Sequence, residues 1–163
     1  MPDNNVRVNI KGLKNLAKAL GDDYRIRVGI MGSKATRKNG KGGLTNAEIG
    51  FINEFGKMTG KRRIPPRSFL NMPLRLYLAD YLLEKKAFSQ KEIDKAVKNG
   101  TLFDLAKKVG IVAEEVIQEA FATRGFGNWK ENRPSTIKKK GSDSPLIDTG
   151  ELRRSITSEV KKR

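Results

Sequence analysis

The pattern in this chain that looks most like a catalytic one is Asp148-Thr149-Gly150, preceded by Leu146-Ile147. An aspartate presented after two apolar residues is how a dimeric aspartic protease offers its catalytic carboxylate. A half-barrel of that kind needs several strands after the turn, and only thirteen residues follow Gly150. Helix capping is the better reading: Asp148 and Glu151 have capping-box spacing, which would start a turn running through Ile156.

Other chemistries fall away by residue type. The chain has neither histidine nor cysteine, which excludes Ser-His-Asp and Cys-His triads, His-ligated zinc, thiolate metal sites and disulfides together. Gly32-Ser33-Lys34 and Gly40-Lys41-Gly42 suggest phosphate loops, but neither completes the G-x-x-x-x-G-K-[ST] pattern. Asp22-Asp23 reads as a turn, and Glu114-Glu115 as a solvated helix face, where adjacent side chains do not face each other. The expectation is a protein that is not an enzyme, with no catalytic, cofactor or metal residues.

Charge points to partners instead. With 34 Lys and Arg against 18 Asp and Glu, the 163-residue chain carries +16, a field that attracts nucleic acid, an anionic membrane face or acidic protein surfaces. The charge is spread over segments. Residues 1–43 hold ten basic and three acidic residues, residues 57–67 hold five basic and none acidic, and the sequence given ends Lys161-Lys162-Arg163. The residues proposed to contact partners are Lys34, Arg37, Lys38 and Lys41 in one segment and Arg62, Arg63 and Arg67 in another. For the first segment, Ser33–Gly43, no reading helix or aromatic stacking platform is at hand, which favours a protein surface over the DNA backbone. Phe126 and Trp129 read as packing anchors, and Lys138, Lys139 and Lys140 as cations favoured in the last turn of a short helix. No run approaches the roughly 20 apolar residues of a membrane span, and the first residues lack a signal-peptide pattern, so no membrane partner is expected.

The elements that must position these residues follow from periodicity. Val6–Ile10 and Tyr24–Ile30 alternate as half-buried strands around a short helix from Leu13 to Leu20, and Ile156–Val160 alternates as a closing strand. Ser33–Gly43, with four basic residues and no large apolar one, reads as a mobile basic loop. A helix capped by Thr45 or Asn46 carries an Ile49, Ile52, Phe55 stripe to Gly56. Lys57–Arg63 reads as loop, and Pro65 and Pro66 make a stiff elbow that sets Arg67 to fork onto a carboxylate, in its own chain or a neighbour. Helices follow from Asn71 to about Lys86, from Ser89 to Lys98 with Glu92 in a capping box, from Leu102 to about Thr123 with Gly110 marking a kink or close contact, and from Pro134 to Lys140. The three strands need a common cover, so one sheet crossed by the Leu102–Phe121 helix is expected, in a single domain over residues 1–163.

Two stretches together carry a resemblance. The first is Asn46-Ala47-Glu48-Ile49-Gly50-Phe51-Ile52-Asn53-Glu54-Phe55-Gly56 leading into Ile64-Pro65-Pro66-Arg67-Ser68-Phe69-Leu70. The second is Trp129, then Pro134-Ser135-Thr136-Ile137 with Lys140-Gly141-Ser142, then Pro145 through Arg153 and Ser155-Ile156. In order and spacing they resemble the tail-completion and virion-morphogenesis proteins of long-tailed bacteriophages, a group that includes the lambda-type minor tail protein Z. The resemblance spans about residues 45 to 156. It implies an α+β subunit, a small mainly antiparallel sheet of about three or more strands with a long helix and shorter helices on one face. It implies a homo-oligomeric ring at the virion neck, assembled in the host cytoplasm. That ring would join a head connector (portal, adaptor or stopper) to a tail terminator or tail tube, with phage DNA passing through the lumen. It brings no catalytic residues, and no family contact carries onto the unusually basic Ser33–Gly43. The alternatives are a basic nucleic-acid-binding module and a tail terminator ring protein.

Overall fold

The computed structural model describes residues 14–15, 17–18, 21, 23–37, 43–60 and 62–162. In chain order the elements are β1 (Tyr24–Ile30), a 3-10 turn (Gly32–Ala35), α1 (Asn46–Phe55), β2 (Lys57–Thr59), β3 (Arg62–Ile64), α2 (Asn71–Glu84), α3 (Gln90–Asn99), α4 (Phe103–Ala122), α5 (Pro134–Lys140), α6 (Glu151–Arg154) and β4 (Ile156–Lys162).

The fold is α+β, as expected. β1 and β4 pair antiparallel, with Ile26 opposite Val160, Val28 opposite Ser158 and Ile30 opposite Ile156, so the alternation in each strand places its apolar residues on one shared face. The twenty-residue α4 packs across both strands. Gly110 marks the close approach: a Cβ there would lie 2.8 Å from Ser158 Oγ. Glu114, expected on the solvated face, accepts from that same hydroxyl at 2.6 Å. The third expected strand, Val6–Ile10, lies outside the described residues; of the first expected helix, residues 14, 15, 17 and 18 are described and helical, as is Gly21 just beyond it.

The core forms where α4 meets the loops and short elements that follow it. Phe69, Ile117, Ala120, Phe121, Trp129, Leu152 and Ile156 make one buried cluster. Phe121 lies 5.3 Å from Phe69 and edge-on to Trp129 at 5.7 Å, arrangements that aromatic quadrupoles favour. Phe126 stacks on Tyr77 with ring centroids 3.9 Å apart, pinning the loop after α4 to α2. Both aromatics expected as anchors are therefore anchors.

Local signals set the helix ends. Thr45 and Ser89 each close a capping box, with Glu48 and Glu92, and Gly100 and Gly141 end α3 and α5 in the left-handed conformation. Three expectations need correction. Phe55 is not part of the inward stripe of α1: Phe51 and Phe55 are exposed, and the buried residues are Asn46, Gly50 and Glu54. The small residue at the centre lets the helix backbone come close to the core, where a Cβ on Gly50 would lie 2.5 Å from Ile30 Cδ1. Lys57–Arg63 is not a loop, because β2 and β3 form a hairpin pairing Lys57 with Ile64, Met58 with Arg63 and Thr59 with Arg62. Gly60, with φ of 58°, supplies its turn. Nor is the start of Ser33–Gly43 unstructured: the Asn46 amide donates to the carbonyls of Lys34 and Thr36, each at 3.1 Å, while residues 38–42 lie outside the described ones.

Candidate docking surface

A carboxylate and a guanidinium organise the elbow after the hairpin. Glu54, buried at the end of α1, accepts from the N–H groups of Phe69 (2.9 Å), Leu70 (3.0 Å) and Asn71 (3.0 Å) and from Ser68 Oγ (2.6 Å). The Met72 N–H donates in turn to Ser68 Oγ at 2.9 Å. The unpaired donors at the start of α2 are thus met by Glu54 from another helix and by Ser68 of the elbow. The Trp129 indole N–H donates to the Ser68 carbonyl at 2.9 Å, which ties the loop after α4 to the same point.

Arg67 faces the other way along this elbow. Its Nε donates to the Lys130 carbonyl at 2.6 Å and its Nη2 to the Glu131 carbonyl at 2.9 Å. It is only 7% exposed, and burial pushes its guanidinium below the usual value. This corrects the own-chain half of the expectation for Arg67: among the described residues it forks onto two backbone carbonyls, not onto a carboxylate. Pro65 and Pro66 supply the extended approach that aims it there.

Arg67 stands between two hollows. The larger is an open groove of about 820 Å³, walled on one side by Arg63, Ile64, Pro65 and Pro66 and on the other by Lys130 to Arg133 with Ser135 and Thr136. Its walls meet where Arg133 Nη2 approaches the Arg63 carbonyl at 3.5 Å. The smaller, about 230 Å³, is bordered by Arg37, Asn53, Arg67, Lys140, Asp148 and Glu151 among others. There Glu151 accepts from Arg37 Nε at 2.9 Å. Lys140 is lowered mainly by burial and also by Arg67, while the Asp148 charge opposes the shift.

The other expected contact residues divide between these places. Arg63 is exposed at the groove, and Arg62 sits beside it in β3. Lys34 lies in the 3-10 turn with its ammonium 3.4 Å from the Ile156 carbonyl. Arg37 is held by the ion pair with Glu151 and is half-buried, so it is less available to a partner than expected. Lys38 and Lys41 lie outside the described residues. The structure brings Arg63 and Arg67 to one groove and sets Lys34 and Arg37 near α6 and β4, apart from it.

Asp148 does not cap the last helix. The N-cap of α6 is Gly150, left-handed at φ 73°, and the Glu151 N–H approaches the Thr149 hydroxyl at 3.4 Å. Thr149 and the turn at Gly150 stand between Asp148 and the helix, leaving that carboxylate exposed at the mouth of the smaller hollow. Sequence reasoning also missed Glu54, Lys130 and Arg133. Only the spacing of Asn46, Gly50 and Glu54 along α1, four residues apart, hinted that Glu54 shares the inward face.

Beside the hairpin lies an apolar patch. Phe51, Phe55 and Met58 are 65%, 61% and 65% exposed, with the two rings in contact at 4.9 Å. Among the described residues no three acidic side chains gather closely enough to hold a metal ion, and no helix is long and apolar enough to cross a membrane. Comparisons with protein-family models, curated proteins and solved structures find no match.

Proposed function

We propose that this chain is a structural subunit of a long-tailed phage virion, a tail-completion or neck protein that forms a homo-oligomeric ring between the head connector and the tail, and does not act as an enzyme. The observation that carries the reading is the way its two resemblance-bearing stretches interlock. Within the first, Glu54 caps the elbow. Across to the second, the Trp129 indole donates to the Ser68 carbonyl and Phe69 shares a buried cluster with Trp129, Leu152 and Ile156, while Arg67 holds the carbonyls of Lys130 and Glu131 in between. The motifs are a single packed unit, so their order and spacing reflect one structural device.

The surface fits such a role. A rigid elbow presents a basic groove, and the adjacent Phe51, Phe55 and Met58 offer apolar area of the kind that subunit contacts cover. Removal of the gene from the phage that carries it should give DNA-filled heads and separate tails, with joining restored by supplying the protein. Joined, infectious particles in its absence would refute the proposal. The nucleic-acid-binding alternative is separated by salt: affinity of the free chain for duplex DNA that falls steeply with added salt, together with normal particle joining, favours that alternative.

A further inference from the structure

We infer that the groove between the Pro65-Pro66 elbow and the 130–136 loop is a binding site for an extended acidic peptide segment of a partner protein. Among the described residues four cations border it, Arg63, Arg67, Lys130 and Arg133, against one acid, Glu131. Its volume of about 820 Å³ lies in the range of pockets that enclose a compact ligand, about 300–1,000 Å³. The walls are stiff, with prolines at 65 and 66 on one side and Pro134 starting α5 at the other.

Arg67 gives the groove a fixed point of recognition. Two of its nitrogens, Nε and Nη2, donate to backbone carbonyls, which holds the guanidinium plane still, and among the described residues Nη1 has no hydrogen-bond partner. A buried guanidinium with no carboxylate on it is costly unless an anion approaches, and a preoriented one loses little freedom when that anion arrives. The exposed Arg63, Lys130 and Arg133 around it suit further carboxylates along the same peptide.

Concavity decides between peptide and duplex DNA. Reading a duplex requires a convex element entering a groove of the DNA, or a broad surface following its phosphates. A recess between two loops offers neither, whereas a single extended chain fits inside it. The inference does not depend on the neck reading, whose test is the joining of particles.

The experiment uses the full chain and three labelled probes: hexaglutamate, hexaglutamine and a 20-base-pair duplex. Hexaglutamate is expected to bind at low salt and hexaglutamine not to. Arg63→Glu, Lys130→Glu and Arg133→Glu, all at exposed positions, should each weaken hexaglutamate about tenfold. Lys138→Glu, the same charge change on the far turn of α5, should change it less than about twofold. Three results overturn the inference: no hexaglutamate binding, equal loss on Lys138→Glu, or displacement of the peptide by duplex DNA at equal phosphate and carboxylate concentration.

Discussion

Ser68 donates its hydroxyl hydrogen to the Glu54 carboxylate at 2.6 Å and accepts from the Met72 N–H at 2.9 Å. The pair joins the end of α1 to the beginning of α2 and meets the N–H groups of Phe69, Leu70, Asn71 and Met72. Glu54→Ala strands one buried and three part-buried donors, each costing up to about 1–3 kcal/mol where water cannot reach. A net loss of roughly 2–4 kcal/mol is expected, which lowers Tm by about 10 °C at this chain length. Glu54→Gln keeps one acceptor oxygen and should lose about half as much. Thermal unfolding of both variants at neutral pH checks the order.

Gly125 and Trp129 make a second, sharper constraint. Gly125 has φ of 69°, and a Cβ there would fall within the Trp129 indole. Gly125→Ala adds left-handed strain of about 1–2 kcal/mol to an overpacking cost of about 1–3 kcal/mol. Gly127, at φ 79° with open space around it, shares only the first cost. The chain has one tryptophan, so its emission should shift to the red for Gly125→Ala and stay put for Gly127→Ala.

Asp148 is expected to matter little for stability. It lies exposed and makes no cap to α6, so Asp148→Ala should change unfolding free energy by less than about 0.5 kcal/mol, where a capping carboxylate would cost about 0.5–2 kcal/mol. Chemical denaturation of the two proteins distinguishes these values. A loss in the capping range would show that the Asp-Thr-Gly turn differs from the one described.

Glu92 gives a pH signature. Its carboxyl is lowered to about 2, first by the hydrogen bond from Lys108 and then by those from the Ser89 backbone and hydroxyl. A depressed carboxylate contributes stability that is present above its unfolded value near 4.5 and is lost as pH falls toward 2. Between pH 5 and 2 the wild type should therefore lose stability more steeply than Glu92→Gln. Urea midpoints for both proteins across that window read the difference, and parallel curves would contradict it.

Much of the scaffold was legible because its signals are local. Alternation at Tyr24–Ile30 and Ile156–Val160 identified two strands, and Ser89 with Glu92 or Gly141 after Lys140 marked helix ends within a few residues. The docking surface was less legible because long-range contacts make it. Arg67 meets carbonyls more than sixty residues away, and nothing in the residues around it names them. Glu54 carried little local signal, since its partners are mostly backbone N–H groups that every sequence possesses. The apolar face of α1 misled for a related reason: a core that needs close helix approach selects Gly50 for the inside, and the phenylalanines are left outside.

The proposed neck role is tested most directly by electron cryo-microscopy of the assembled virions in which it would place this chain. The account predicts a closed ring of copies between the head connector and the tail, with the Glu54–Ser68 elbow resolved and Phe51, Phe55 and Met58 covered at an interface. Density at the neck fully explained by other proteins, with this chain absent from purified virions, would contradict it.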